Sequence, residues 1–396
     1  MNVPNLRFKE FNEELHTFEI KDTGNVITGM TPSTADKENY GTEYLWVSPG
    51  DMGYSKYIAN TKTKLSLKGF NKTRQLPDNS ILVTCIGSTI GKMGMSNSTL
   101  STNQQINSII PTKIFNPNYL YYCINYNFPK FLNKISFQAV PIISKREFEK
   151  LKIKCTPNLS EQEKIGNMLD LLDKKIEHQS KKIEDLKLFK KGLINILNNE
   201  SFQETALKKI GKFQTSSIDK LINENEKIVN LYNYMDVYNH KIIMKQDLIK
   251  LSKTSAKDNQ IITNNLKRGD ILFTPSSETP DDIGHSICIQ EDLPNTVYSY
   301  HLVRYRPNII IDPLFSNYYF NNSKIRKQII RYATGATRYT ISLDNFLKIK
   351  VNIPDLITQK KYGLLLYSTD KKINKETFKL NKLQELKKGL MQNMFV

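Results

Sequence analysis

Two long stretches of the chain carry apolar side chains at alternating steps of four and three residues. These positions run from Ile165 to Leu197 in the first stretch and from Tyr362 to Met394 in the second. This spacing is the heptad pattern of a coiled coil, in which an apolar stripe packs against a partner helix. It predicts two helices of about 38 residues, each about 57 Å long. The predicted seam comprises Ile165, Leu169, Leu172, Ile176, Ile183, Leu186, Leu193, Leu366, Ile373, Leu380, Leu383 and Leu390.

The two stretches are copies of one another. A shift of 197 residues places Pro157 on Pro354, and the register then holds without a gap to residues 198 and 395. Polar residues interrupt both seams at the same two places, Gln179/Glu376 and Lys190/Lys387. Identical residues outside the seam also recur in register: Gln162/Gln359, Gly166/Gly363, Asp173/Asp370 and Gly192/Gly389. Just upstream, residues 151–157 align with 347–354 after a one-residue insertion. Ordinary long surface helices are the alternative, but two matched heptads favour mutual pairing, and a pseudo-twofold arrangement makes the pair antiparallel.

Local signals indicate where the first helix begins. Each helix follows a proline, and Ser160 with Glu163 has the spacing of a capping box. The charged ends of the repeat, DKKI and KKGL, are expected to face mostly solvent or partner proteins.

The regions before the two helices have a different pattern, with short β-rich runs between turns rich in Gly, Pro, Ser and Asn. Each region contains one predicted amphipathic helix, over 117–135 and over 313–330. The predicted fold class is therefore α+β, with two similar globular domains separated by a long antiparallel two-helix coiled coil. The predicted boundaries are 1–156 for the first domain, 157–199 for the first helix, 200–353 for the second domain and 354–396 for the second helix.

The chain is strongly basic. Its formal net charge is +18 and its pI is about 9.4. This excess favours a polyanionic partner, nucleic acid before an anionic membrane, although a composition rich in Lys and Asn is the alternative explanation. The four cysteines are widely spaced, which predicts reduced thiols and no zinc site. The charged start and the absence of a long apolar run predict a soluble, cytoplasmic protein without a membrane partner.

Motifs for catalysis are incomplete. GSTIGKMG at 87–94 has three residues between Gly87 and Gly91, and Met93 follows Lys92, so it does not meet the phosphate-loop pattern. NPNY at 116–119 lacks the second proline of the methyltransferase motif, and no HExxH occurs. Asp281 and Asp282 are adjacent without nuclease-like spacing. These observations favour a binding subunit and predict no catalytic residue and no metal ligand in this chain.

The chain resembles the specificity subunits of type I restriction–modification systems. The resemblance covers essentially the whole length and is carried by PNLSEQEKIGNMLDLLDKKIE (157–177) and PDLITQKKYGLLLYSTDKKIN (354–374). VPNLRFKEF, TGMTPST, WVSPGDM and the GSTIGKMG…STNQQI stretch are similar to recurring segments of that family. One departure is Thr358, which stands where the first copy has Glu161.

The resemblance implies a non-catalytic subunit that reads double-stranded DNA with two target-recognition domains. Two methyltransferase subunits would use S-adenosylmethionine to methylate adenine, and two restriction subunits would use ATP and Mg. This chain would hold no cofactor itself. The runner-up is a freestanding DNA-binding or architectural protein, and co-purification with a methyltransferase would distinguish the two hypotheses. An enzyme in its own right is a more distant alternative.

Polar and aromatic loops are the candidates for reading DNA, because each base pair shows a distinct donor and acceptor pattern in the major groove. Gln and Asn side chains are expected to pair bidentately with adenine. The alternative for each residue is a turn cap or, for the histidines, packing against a turn. The candidates are Ser88, Thr89, Lys92, Asn103, Gln104 and Gln105 in the first domain, and Ser276, Ser277, His285, Tyr300, His301, Arg338 and Tyr339 in the second.

Overall fold

The computed structural model describes residues 4–53, 55–132, 141–199 and 203–396, with only the backbone of Asn199. The end of the helix predicted over 117–135 and the middle of the connector between the first helix and the second domain lie outside these residues. The chain divides into two compact units. Unit 1 comprises Met1–Lys182 with Glu376–Val396, and unit 2 comprises Ile183–Lys375. Each unit therefore contains a segment of both long helices.

Unit 1 mixes short strands with helices. Its helices are α1 (Ile20–Thr23), α2 (Leu67–Asn71), α3 (Pro117–Leu132), α4 (Lys145–Glu149) and the first part of α5 (Leu159–Asn199). Its strands are β1 (His16–Glu19), β2 (Gly24–Thr28), β3 (Tyr40–Gly41), β4 (Tyr44–Val47), β5 (Tyr57–Ile58), β6 (Lys64–Leu65), β7 (Gln75–Leu76), β8 (Ile81–Thr84), β9 (Met93–Ser96), β10 (Leu100–Thr102), β11 (Ile106–Pro111) and β12 (Lys152–Cys155). Short 3₁₀ turns cover Lys37–Asn39 and Pro49–Asp51.

Unit 2 repeats this order. Its strands are β13 (Glu204–Ala206), β14 (Gly211–Thr215), β15 (Lys227–Tyr232), β16 (Ser252–Ala256), β17 (Ile271–Phe273), β18 (Ser276–Ser277), β19 (Ser286–Cys288), β20 (Thr296–Tyr298), β21 (Val303–Pro307), β22 (Tyr339–Thr340) and β23 (Lys350–Asn352). Its helices are α6 (Leu207–Ile210), α7 (Tyr234–Tyr238), α8 (Asp258–Thr263), α9 (Pro313–Tyr319), α10 (Ser323–Tyr332), α11 (Leu343–Lys348) and the first part of α12 (Leu356–Met394), with 3₁₀ turns at Lys245–Lys250 and Pro280–Asp282.

The main sheets of the two units share four strands in the same order, and unit 1 adds β5 at one edge. Unit 1 has the order β2-β11-β8-β9-β5, and unit 2 has β14-β21-β17-β19. A second sheet accompanies each, β3-β6-β4-β10-β7 in unit 1 and β16-β15-β20 in unit 2. A two-stranded antiparallel ladder, β1-β12 or β13-β23, leads into each long helix, and β18-β22 forms a further pair in unit 2. The α+β class is confirmed.

The helix predicted over 313–330 is two helices. The break falls at Asn322, whose side chain accepts a hydrogen bond from the Ile325 N–H (2.9 Å) and so caps α10. An asparagine at this position competes with the helix backbone and favours a new helix start.

The coiled-coil ends belong to the unit cores. In unit 1, Ile165 and Leu169 of α5 and Met391, Met394 and Phe395 from the end of α12 pack with the buried side chains of α3 and the main sheet. In unit 2, Leu197 and Tyr362 pack with the core around Phe273 and Phe346. This packing explains why the seam is apolar at its ends, and every predicted seam residue is buried or half-buried.

The residues repeated between the two copies fasten each long helix to its unit. Gln162 accepts a hydrogen bond from the Asn116 N–H (2.8 Å), and Gln359 accepts the matching one from the Asp312 N–H (2.7 Å). A Cβ at Gly166 would lie 2.7 Å from a backbone nitrogen of α3, and one at Gly363 would lie 2.7 Å from a backbone nitrogen of α9. Only glycine allows so close an approach at these two positions.

The predicted capping box of Ser160 and Glu163 at the start of the first long helix is wrong. Asn158 caps α5 by accepting from the Glu161 N–H (3.2 Å), and Asp355 caps α12 in the same way at Thr358 (3.0 Å). Ser160 therefore lies inside the helix instead of starting a capping box.

The alignment of 151–157 with 347–354 is also out of register. The Ile20 N–H donates to Leu151 O, whereas the equivalent Leu207 N–H donates to Ile349 O, so strand pairing matches Lys152 with Lys350. The repeated LKIK letters are two residues apart in the structure.

The long helices run antiparallel within each unit, as predicted. Asp173 pairs with Lys387 (2.5 Å) in unit 1, and Lys190 pairs with Asp370 (2.7 Å) in unit 2. Gln179 donates a hydrogen bond to the Glu376 carboxylate (2.6 Å). Residue numbers therefore rise along the first helix as they fall along the second. The aspartates of DKKI and the lysines of KKGL thus pair with one another across the helices instead of facing solvent.

Candidate nucleic-acid interface

Two loops meet at one end of the sheets in unit 1. The first, residues 85–92, joins β8 to β9, and the second, residues 103–105, joins β10 to β11. The Cys85 N–H donates to Gln105 O (2.8 Å), which holds the loops together. The first loop turns sharply at Gly87, whose φ of +92° is costly for other residues. Ser88 and Gln104 are exposed, and Thr89 and Gln105 are half-buried.

Unit 2 builds the same pair of loops with other side chains. In unit 1, the Thr84 N–H donates to Lys92 O and the Gly91 N–H donates to Thr84 O. In unit 2, the Thr274 N–H donates to His285 O and the Gly284 N–H donates to Thr274 O. In the second loop, the Gln105 N–H donates to Asn103 Oδ1 (3.1 Å), and the His301 N–H donates to Ser299 Oγ (3.3 Å). Gln104 and Gln105 therefore correspond to Tyr300 and His301.

A third loop joins the candidate surface in unit 2. Ser276 and Ser277 of β18 pair with Thr340 and Tyr339 of β22. Arg338 donates a hydrogen bond to Ser276 Oγ (3.4 Å). Four of the predicted residues, Ser276, Ser277, Arg338 and Tyr339, are thus neighbours although about 60 residues separate them in the sequence. Arg338 is exposed, and Ser277 is buried.

The two predicted histidines have different surroundings. His285 is half-buried, lies 3.0 Å from Asp282 and 3.3 Å from His240, and packs against the Tyr238 ring. Burial lowers the pKa of His285, partly offset by Asp282. His301 packs on the Tyr300 ring at 3.9 Å between centroids. Partial burial lowers the pKa of His301, as do the nearby charges of Lys220 and Arg338.

Comparison with known proteins finds a family model that matches part of the chain. Residues 12–188 match the family described as "Type I restriction modification DNA specificity domain". This part of the chain is therefore similar to a type I restriction–modification DNA specificity domain. The resemblance found in the sequence is confirmed, and the matched range covers most of unit 1.

Curated relatives agree with this family. The chain is 40% identical over 94 residues to the type I restriction enzyme HindI specificity subunit of Haemophilus influenzae, over 23% of this chain and 20% of that protein. It is 31% identical over 197 residues to the MjaIX specificity subunit of Methanocaldococcus jannaschii, over 46% of this chain and 45% of that protein. The matches thus span less than half the length of these relatives.

Solved structures share the fold over nearly the whole chain. The S subunit of a type I restriction–modification system from M. genitalium matches with a TM-score of 0.63 and 16% identity, over 100% of this chain and 99% of that chain. A chain from a study of complex assembly and conformational transition of the type I R-M system matches with a TM-score of 0.50 and 10% identity, over 95% of this chain and 96% of that chain. The predicted fold, with two domains and a helical pair, is therefore shared with these solved chains.

The backbone of Lys92 belongs to the 85–92 loop, but its side chain has neighbours outside that loop. Its side chain packs over Gly53 and lines a cavity of about 450 Å³ beside α5. The same cavity is lined by Lys56, a residue that no sequence pattern singled out. Lys56 is 8% exposed, and its ammonium group donates to Asp170 (2.6 Å) and Asn118 (2.6 Å). Burial lowers the pKa of Lys56, and the Asp170 carboxylate opposes that shift.

A tyrosine, an aspartate and a lysine join each globular part to the long helices. Tyr122 donates to Asp173 (2.7 Å), which pairs with Lys387. In unit 2, Tyr318 donates to Asp370 (2.9 Å), which pairs with Lys190. The repeated Asp and Lys letters were a usable signal for this joint, but the tyrosines lie outside the aligned register.

The described residues hold no cluster of three or more His, Cys, Asp or Glu side chains that could bind a metal ion. Within the same residues, no helix is long and apolar enough to cross a membrane.

Proposed function

We propose that this chain is the DNA-reading subunit of a type I restriction–modification complex and that each unit reads one half of a bipartite target. The observation that carries the proposal is the recurrence of one loop pair with different side chains, Gln104 and Gln105 in one unit and Tyr300 and His301 in the other. Two different half-sites require different side chains on the loops of the two units, because side chains in the groove read base identity. The loop backbone can stay the same in both units.

The charge of the chain supports DNA as the partner. Its net charge of +18 would attract the phosphate backbone, and lysines around the loops would fix the position of each unit without reading sequence. Binding to phosphates releases counterions, so affinity should fall steeply as salt concentration rises.

The outer faces of the long helices are proposed docking surfaces for two methyltransferase subunits. These faces carry many lysines and glutamates, and exposed apolar side chains interrupt them, including Leu188, Phe189 and Phe378. Exposed apolar side chains rimmed by charge are typical of protein interfaces.

The chain itself is proposed to be non-catalytic and to bind no cofactor. S-adenosylmethionine chemistry would belong to the methyltransferase subunits. ATP and Mg would belong to two translocating restriction subunits. This division fits the incomplete nucleotide and methyltransferase motifs of the sequence.

Methylation mapping tests the proposal. DNA from cells that express the chain with its methyltransferase should carry one bipartite methylated motif, whereas cells with the methyltransferase alone should lack it. A chain that purifies free of any methyltransferase and shifts specific DNA alone would instead support the freestanding DNA-binding protein.

A further inference from the structure

The second loop of unit 1 holds one glutamine amide in a defined orientation. The Gln105 backbone N–H can only donate, so the Asn103 atom that it meets at 3.1 Å must be the acceptor Oδ1. The other end of the Asn103 amide is therefore the Nδ2 group. That group lies 3.0 Å from the Gln105 side chain and must meet its Oε1 atom. The backbone thus determines the orientation of both amides in turn.

The Gln105 amide nitrogen is left free. Its Nε2 atom makes no hydrogen bond to any of the residues that the structure describes, and it is not among their fully buried polar atoms. It lies beside Gly87 in the neighbouring loop, 3.6 Å from where a Cβ would be. Asn103, by contrast, is 8% exposed and keeps both ends of its amide engaged with Gln105.

We propose that Gln105 contacts a base edge as a hydrogen-bond donor and that Asn103 is the positioning residue that imposes this polarity. Guanine O6 and N7, thymine O4 and adenine N7 are acceptors in the major groove, whereas cytosine presents a donor there. The bidentate pairing with adenine expected from the sequence needs a glutamine oxygen that is free to accept from adenine N6. Asn103 already uses one lone pair of that oxygen and holds it toward the loop, whereas Nε2 has no partner in the described part of the chain. The unit 1 half-site should therefore have an acceptor-bearing base, foremost guanine, opposite Gln105.

The second unit supplies a natural control for this geometry. Ser299 occupies the position of Asn103, and its hydroxyl accepts the equivalent backbone N–H of His301. A serine therefore supports the loop backbone without an amide that could orient the next side chain. Asn103→Ser should keep the loop and release the Gln105 amide, while Asn103→Asp should keep the loop and reverse that amide. The aspartate cannot donate to Oε1, so Nε2 would turn inward to donate and Oε1 would face the DNA.

The inference rests on the proposed function, and one experiment separates the two. The full chain, co-purified with its methyltransferase subunits, selects from a duplex library that is randomised over both half-sites, and the bound DNA is sequenced. Failure of the unmodified complex to enrich any motif would refute the proposed function. If it enriches a bipartite motif, one position should favour an acceptor-bearing base by roughly tenfold over cytosine, as expected for a specific base contact.

The variants then test Asn103. Asn103→Ser should flatten the preference at that one position, and Asn103→Asp should shift it toward cytosine or adenine, which carry amino donors. Gln105→Glu, which only accepts, should produce the same shift as Asn103→Asp. The other half-site should stay unchanged in all three, and thermal unfolding should match the unmodified chain. An unchanged base preference in the Asn103 variants, or a loss of all enrichment with native unfolding, would overturn the inference.

Discussion

Single residues decide how closely each long helix approaches its globular part. Gly166 and Gly363 lie where α5 and α12 cross the starts of α3 and α9, and their missing side chains leave room for neighbouring backbone. Other glycines of the repeat have a different role, since Gly192 and Gly389 face open space. A glycine that recurs in both copies can therefore be required by packing at one position and not at another.

Alanine at the crossing glycines should destabilise the chain. A Cβ at Gly166 would lie 2.7 Å from the Tyr119 nitrogen, so backbone must shift. Gly166→Ala or Gly363→Ala should lower the free energy of unfolding by about 2 kcal/mol through overpacking. Denaturant unfolding measures the effect. Gly192→Ala and Gly389→Ala are the controls and should be neutral or stabilising by up to about 1 kcal/mol, because alanine favours helix. Equal effects at all four positions would contradict the packing argument.

A carboxylate at the middle of the seam should make stability depend on pH in acid. Hydrogen bonds from Gln179, Lys182 and Lys379 lower the pKa of Glu376 to about 2. A lowered pKa stabilises the fold above the unfolded-state pKa of about 4.3, and this contribution is lost as the pH falls toward 2. Glu376→Gln should therefore unfold at a lower temperature than the unmodified chain at pH 7, with the difference shrinking below pH 4. Glu385→Gln, an exposed change on the same helix, should leave the pH profile unaltered.

Pairs of elements show why the charged ends of the repeat occur twice. Asp173 of the first copy meets Lys387 of the second, and Lys190 of the first meets Asp370 of the second. In an antiparallel pair, each copy supplies the partner for the opposite end of the other copy. Both ends of the motif must therefore be kept in both helices for either ion pair to form.

Exchanging the charges of one ion pair tests this reciprocity. Lys190→Asp places two carboxylates together and should cost about 1 kcal/mol of unfolding free energy. Asp370→Lys combined with Lys190→Asp should recover most of the loss, less the hydrogen bond that Tyr318 donates to Asp370. The corresponding exchange at Asp173 and Lys387 should behave alike. Losses that simply add in the double variants would show that the charges do not interact.

The length of the first helix is expected to act as a ruler between half-sites. The element ends at Asn199, shortly before β13. Four residues inserted there would add about 6 Å of helix, which should lengthen the unread gap of the DNA target by about one to two base pairs, at about 3.4 Å each. Methylation mapping of the variant reads the gap directly. A three-residue glycine-containing insertion that does not extend the helix is the control, and an unchanged gap in the helical variant would rule the ruler out.

At the scale of the whole molecule, two units built on one plan carry different loops. The main sheet, the ladder into the long helix and the tyrosine–aspartate–lysine joint recur, while the loop tips differ. Such a division separates what holds the chain together from what would contact DNA.

Replacing residues 200–353 with the corresponding region of another specificity subunit should change only one half of the methylated motif. The reason is that the ion pair of Lys190 and Asp370 lies outside the exchanged region and the long helices stay intact. Methylation mapping measures the outcome. The reciprocal exchange of residues 1–156 should change the other half, and a change in both halves after either exchange would contradict modular reading.

Much of this architecture was determined by the sequence alone, because periodicity and self-similarity are properties of the letters. The heptad spacing predicted the helix pair, and the repeat predicted its antiparallel direction. Short β-rich runs between turns, with one amphipathic helix in each region, predicted α+β domains. Loop candidates such as Gln104, Gln105 and Tyr300 were found because polar and aromatic residues stand next to β-rich runs in the sequence.

Tertiary structure decided the local details of caps, strand register and side-chain contacts, because these depend on which groups meet in the folded chain. The caps at Asn158 and Asp355, the two-residue offset of the LKIK strands and the break at Asn322 are settled by which backbone groups meet. Lys56 and Tyr122 gain their roles only when the fold places them beside α5. The polarity of Gln105 likewise follows from three hydrogen-bonding groups in a folded loop, since an amide has no preferred orientation until its neighbours supply donors and acceptors.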